Sequence, residues 1–329
     1  MTMRKTRKIN RSYFSIPITL DEVLSALANT DDLPSSSHLA ELSDLPPESL
    51  LLFAGIWRTL HAGRRREILS RLHTLAEENV ELNFDAIFNL GIDDEDFQVR
   101  LASINGLWEN RQAWLQRKLI DLAGQDSSSE VRISAVQALE RFCLDAELSS
   151  DEEARKHLSD LLLSIYDNQN ESIQLRRRSL EAASPLDVAK VRHTIEKAFV
   201  CGNREIKVSA IYAMGASSNP CWLPRLISEL QSDDAEMRYE AVRACGEIGQ
   251  EDAVNWLIPL LEDEDRDVQI ASIQALGKIG GSQAREALLA QMESANELLR
   301  DSAEQSLYEL DLYDDPLSPE NINIGQGEG

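Results

Sequence analysis

The stretch Asp265-Arg266-Asp267-Val268-Gln269-Ile270-Ala271-Ser272-Ile273-Gln274-Ala275-Leu276-Gly277-Lys278-Ile279-Gly280 reads as one helix with both ends marked. Asp265 is a preferred N-cap residue, whose side-chain oxygen can accept from an orphan N–H of the first turn. With Val268 as position zero, positions zero, four, seven, eight and eleven are Val268, Ser272, Ala275, Leu276 and Ile279. All are apolar or small, the 3.6-residue stripe of a helix that buries one face. Gly277 and Gly280 are expected to stop it, glycine being common at helix C-termini.

The same phrase recurs at a fixed step. Moving 31 residues at a time from Val268 reaches Leu299 in one direction, and Met237, Ile206 and Leu175 in the other. A longer step of 44 reaches Val131, and one of 32 reaches Val99. Position minus three is then Asp96, Ser128, Ser172, Asn203, Asp234, Asp265 and Asn296, a capping residue every time. Shorter amphipathic segments, Ala253 to Leu261 and Ala284 to Met292 among them, lie between the capped helices. Each unit is therefore a helical hairpin. A period of this length signals stacked repeats, because no single unit can bury its apolar face alone.

Residues 265–280 and their counterparts resemble HEAT repeats, particularly the short HEAT-like class first noted in phycobilisome lyases. The resemblance covers residues 80–310 well and residues 45–80 loosely. It implies an all-α fold, a right-handed α-solenoid of stacked antiparallel helix pairs whose second helices line a concave face. On function it is nearly silent, since such repeats serve many tasks.

Four regions follow. Residues 1–18 form a basic arm expected to be disordered, and 19–80 a divergent N-terminal helical cap, with helices at Thr19 to Asn29, Pro46 to Leu60 and Gly63 to Asn79. Residues 81–310 hold about seven helix pairs, and 311–329 an acidic tail expected to be disordered. The 13 extra residues of the 44-residue step are expected to lengthen a first helix, Ser150 to Tyr166, after an exposed acidic loop. Position five is apolar from Ile104 to Ile273 but becomes Glu304 in the last unit, as a terminal repeat with nothing stacked beyond it should be.

The net charge of −24 argues against nucleic-acid binding by the body of the chain. Residues 1–11 carry +5 with no acid, leaving −29 for the remainder. That arm could contact an acidic surface, or could be an organelle transit peptide. No apolar run spans a membrane. Cys143, Cys201, Cys221 and Cys245 are scattered without a pair spacing, so neither zinc nor a disulfide framework is expected, and the chain reads as cytoplasmic.

Position one is basic in six of seven units: Arg100, Arg132, Arg176, Lys207, Arg238 and Arg300. Such a row either binds anions or pairs with acids of adjacent turns; Asp94, Asp126 and Asp263 stand where pairing would need them. Position two is Leu101, Ile133, Arg177, Val208, Tyr239, Ile270 and Asp301, mostly apolar although the helical wheel turns it away from the core. Position six adds Asn105, Gln137, Glu181, Tyr212, Arg243, Gln274 and Gln305. Apolar residues interleaved with amides, Tyr and Arg have the composition of a protein-binding region. The alternative is that position two tucks against the neighbouring helix.

An enzyme finds little support. The five histidines share no repeat position and none precedes Glu, so the recurrent His-Glu ligands of HEAT-like deoxyhypusine hydroxylase are missing. The five tryptophans are expected to be packing residues. No cofactor, metal or catalytic residue is expected. The reading is a non-catalytic scaffold that binds a protein or peptide in its groove through Leu101, Ile133, Gln137, Arg177, Val208, Tyr212, Tyr239, Arg243, Ile270 and Gln274. The alternative is a bilin lyase-like or other protein-modifying enzyme, or a subunit of one.

Overall fold

A computed structural model describes residues 18–29 and 34–314, and every regular element among them is a helix. The basic stretch 1–11 and the acidic tail from 315 lie outside the described residues. The chain divides between Asn110 and Arg111 into two compact units.

The first unit contains α1 (Leu20–Ala28), α2 (Ser36–Ala40), α3 (Pro47–Trp57), α4 (Ala62–Glu78), α5 (Asp85–Gly91) and α6 (Phe97–Gly106). Thr19 opens α1 with a capping box: its hydroxyl accepts from the Glu22 N–H, and the Glu22 carboxylate accepts from the Thr19 N–H. The sequence gives no apolar period for α2, which is held instead by its Ser35 cap and the fully buried Leu39. Phe53, Trp57, Ile68, Leu69, Leu72 and Phe88 build the core. Gly106 is required there, because a β-carbon would lie 2.1 Å from the Phe88 ring.

The second unit stacks α7 (Ala113–Gln125), α8 (Ser129–Leu148), α9 (Glu152–Asp167), α10 (Ile173–Ala183), α11 (Ala189–Phe199), α12 (Arg204–Ala216), α13 (Leu223–Glu229), α14 (Ala235–Ile248), α15 (Val254–Leu257), α16 (Arg266–Ile279), α17 (Gly281–Gln291) and α18 (Glu297–Asp314). The even-numbered helices are the repeat's second helices, and α8, α10, α12, α14, α16 and α18 pack each on the next. All seven expected N-caps form: Asp96, Ser128, Ser172, Asn203, Asp234, Asp265 and Asn296 each accept from a first-turn backbone N–H.

Three local expectations are corrected. The 13 extra residues lengthen α8 as well as α9, so the stretch from Leu144 to Leu148 is helix and not an acidic loop. No Gly or Pro interrupts residues 129–148, and Phe142, Cys143 and Ala146 bury that end. The segment 253–261 is no single helix, because Pro259 leaves only α15 between two 3-10 turns. Gly246 and Gly277 do not terminate their helices; Gly249 and Gly280, at φ 69° and 71°, cap them.

The internal glycines do something else. A β-carbon on Gly215 would lie 2.6 Å from the Ala244 Cα, one on Gly246 3.0 Å from the Ala275 Cα, and one on Gly277 2.8 Å from the Ser306 Cβ. Position nine of α12, α14 and α16 is thus glycine so that position seven of the next helix can approach. This contact sets the spacing of α12, α14, α16 and α18.

Candidate partner-binding groove

The basic row at position one is structural. Arg100 and Arg300 donate to the backbone carbonyls of Asp94 and Ser294, each six residues earlier. Arg132 makes a two-pronged pair with Glu171 at 2.7 and 2.8 Å, and Arg238 does the same with Asp263 at 2.7 and 2.9 Å. Arg176 donates to the Tyr166 carbonyl, and Lys207 pairs with Glu229 at 2.8 Å. Arg132, Lys207 and Arg238 tie successive repeats together through ion pairs, whereas Arg100, Arg176 and Arg300 bind backbone carbonyls of their own repeat.

Position two behaves differently. Leu101, Ile133, Arg177, Tyr239 and Ile270 are half-buried, at the edge between packing and solvent. Val208 is a correction: at 4% exposure it is core, not surface. Its short branched side chain lies on α12 between two packed helices that carry the longer Arg177 and Tyr239 at the same position. At position six, Gln137, Arg243 and Gln274 are exposed and Tyr212 half-buried, while Glu181 is buried at 6% exposure. The tryptophans also divide. Trp57 and Trp222 are packed, but Trp108 and Trp256 stand about half exposed, at 51% and 46%.

Two adjoining cavities open along α12, α14 and α16. The first, of about 500 Å³, is lined by Tyr239, Ile270 and Gln274 with Glu236, Asp265 and Asp267 at its acidic side. The second, of about 200 Å³, is lined by Tyr212, Arg243, Glu240 and Glu247 over a base containing Gly215 and Ala244. The close helix approach at Gly215 therefore forms the floor of a site. Of the residues read from the sequence, Tyr239, Ile270 and Gln274 line the first cavity and Tyr212 and Arg243 the second. Leu101 belongs to the first unit, and Ile133 and Gln137 on α8 line neither of these cavities.

Beside the second cavity lies a polar network that residue periodicity did not reveal. The Tyr212 hydroxyl donates to Glu140 at 3.3 Å, and the Ser209 hydroxyl donates to Glu181 at 2.5 Å. Arg178 binds the other Glu181 oxygen at 2.6 Å; Arg177 donates to Ser209 at 2.8 Å and reaches Glu205 at 3.2 Å. Arg177 is therefore held by its own chain. Burial pushes the Glu140 carboxyl above its ordinary range, with the Glu181 charge adding to it, and burial does the same to Glu240. Burial likewise raises the Tyr212 phenol to about 12. Arg243 pairs with Glu240 at 3.5 Å and stands over the Tyr239 ring at 5.7 Å.

The missed residues do carry a signal. Position minus one is Gln98, Glu130, Gln174, Glu205, Glu236, Asp267 and Leu298, an acidic row through the middle of the solenoid. Position nine, small in α10 and glycine in α12, α14 and α16, is Glu140 in α8. That departure marks the network.

Among the described residues no three His, Cys, Asp or Glu side chains are grouped so as to hold a metal ion. No described helix is long and apolar enough to cross a membrane. Burial raises the Cys245 thiol to about 12 and pushes Cys143 up as well, so neither is a ready nucleophile.

Comparison with known proteins agrees with this architecture. A family model for HEAT repeats matches residues 223–308. No curated protein sequence matches the chain. Among solved structures, yeast importin-β is similar over 93% of this chain and 47% of its own, at 12% identity and a TM-score of 0.53. Importin-β crystallised in ammonium sulfate is similar over 88% and 44%, at 13% identity and a TM-score of 0.50. The chain thus spans about half the length of these importin-β structures, and at such identity the likeness concerns the fold alone. Capped hairpins at a 31-residue step and packed second helices make the fold an all-α solenoid, and residues 223–308 carry the match to HEAT repeats.

Proposed function

We propose that the chain is a non-catalytic, cytoplasmic scaffold that holds a segment of a partner protein in the groove along α12, α14 and α16. The observation that carries this reading is the pair of cavities flanking α14, one lined by Tyr239, Ile270 and Gln274 and the other by Tyr212 and Arg243. Half-buried aromatic and aliphatic side chains supply contact area at low entropic cost, and the amide and guanidinium beside them can fix the register of a bound backbone. Three cations of the position-one row, Arg132, Lys207 and Arg238, are held in ion pairs between repeats.

The test is the double variant Tyr239→Ala with Ile270→Asp. Both side chains are only half-buried, so the helical circular-dichroism signal and cooperative melting should persist. A partner recovered with the wild-type chain from its native cells should be lost with the variant. Equal recovery of that partner would sink the groove reading, and an unfolded variant would place position two in the core.

A further inference from the structure

We propose that the groove takes a basic segment, and that the cavity between α14 and α16 receives one lysine or arginine side chain of it. This inference rests on the groove being a protein-binding surface and adds the chemistry of the partner.

The cavity is built for a cation on an aliphatic stem. Tyr239, Ile270 and Ala271 supply an apolar wall, and Glu236, Asp265 and Asp267 supply three carboxylates. Long basic side chains bury their methylenes and keep the charged head at a polar rim. Glu236 is bound by Arg204 at 2.6 Å, which also holds Asp234. Among the described residues no Lys or Arg forms an ion pair with Asp265 or Asp267. Asp265 caps α16 through one oxygen, accepting from the Asp267 and Val268 N–H groups, so the charge facing the cavity without a Lys or Arg partner among the described residues rests on Asp267 and the other Asp265 oxygen. Gln274 is the only other polar side chain lining it, and it is neutral.

The second cavity also carries carboxylates, but each is already paired with a cation of the chain. Glu240 and Glu247 line it beside Tyr212, and their present partners, Arg243 at 3.5 Å and Lys278 at 2.6 Å, are exposed side chains. Tyr239 already accepts a guanidinium over its ring, which shows that the aromatic surface there suits a cation. Spacing makes the segment specific. Packed helices stand ~8–10 Å apart, and an extended polyproline II chain advances ~9 Å in three residues. A segment crossing the helices in that conformation would thus advance by about one helix for every three residues.

The experiment uses the full chain and three labelled twelve-residue peptides carrying Lys, Gln or Glu at every third position and Leu, Pro or Ser elsewhere. Fluorescence anisotropy should show binding of the Lys peptide only. Asp265→Asn with Asp267→Asn should weaken it roughly tenfold, as loss of facing charges does, while keeping the α16 cap, for which Asn serves at positions 203 and 296. Tyr239→Ala should weaken it as well. Binding of the Gln or Glu peptide that is sensitive to Tyr239→Ala would leave the groove intact and overturn the cationic partner. Lys-peptide binding insensitive to these substitutions, or absent altogether, would overturn the proposed site.

Discussion

Glu140 and its neighbours show how one residue can break a repeat and make a site. Its position carries glycine in three of the later second helices, and the carboxylate instead accepts from Tyr212, a residue two helices further on. Burial raises its pKa, with Tyr212 and Arg178 opposing and Glu181 adding to the rise. A carboxyl whose folded pKa lies above its unfolded value favours the fold most when protonated, so its contribution fades as pH rises through the folded value. Glu140→Gln keeps an acceptor for Tyr212 and removes the charge. The variant should therefore melt higher than wild type at pH 7, with the two converging below about pH 4, where free carboxyls protonate. Thermal melts across that range check it; a variant less stable at every pH would mean that the ionised carboxylate stabilises the network.

Within and between elements, the glycine contacts decide how closely the helices stand. Gly215→Ala would drive a methyl into the Ala244 backbone, so overpacking should cost about 1–3 kcal/mol. The internal control is Gly55→Ala in α3, where nothing lies within 4 Å of the added carbon. There the usual helical advantage of alanine over glycine, about 0.5–1 kcal/mol, should appear. Denaturant melts of the two variants should move in opposite directions. Much of this level was legible in the sequence. The seven caps and the buried stripe follow from side-chain chemistry confined to one helix, and all form as read. The stop positions, the length of α8 and the burial of Val208 depend on what the next helix brings, which spacing along one chain does not contain. For the same reason Tyr239, Ile270 and Gln274 were recognisable as a group, whereas Glu140 and Glu240 were not, and Glu181 was read on the exposed face although it is buried.

For the whole molecule, charge is the dominant long-range property. Residues 1–11 carry +5 against −29 elsewhere, and an acid-rimmed groove would draw them as it would draw a basic partner. Deleting residues 1–11 should tighten binding of the lysine peptide at low ionic strength. The difference should vanish near 1 M salt, where the Debye length falls to ~3 Å, and the melting temperature should not change. Equal affinities of the two chains at low salt would show that the arm does not compete. A different consequence follows from the contacts of Gly215 with Ala244, Gly246 with Ala275 and Gly277 with Ser306, each pair 29 residues apart. Each of these three joints uses one pair of matching surfaces, so an in-frame tandem duplication of a 31-residue block among α12, α14 and α16 would meet familiar neighbours on both sides. The groove is in that sense a ruler with interchangeable segments, and evolution can lengthen or shorten its reach without redesigning a single interface.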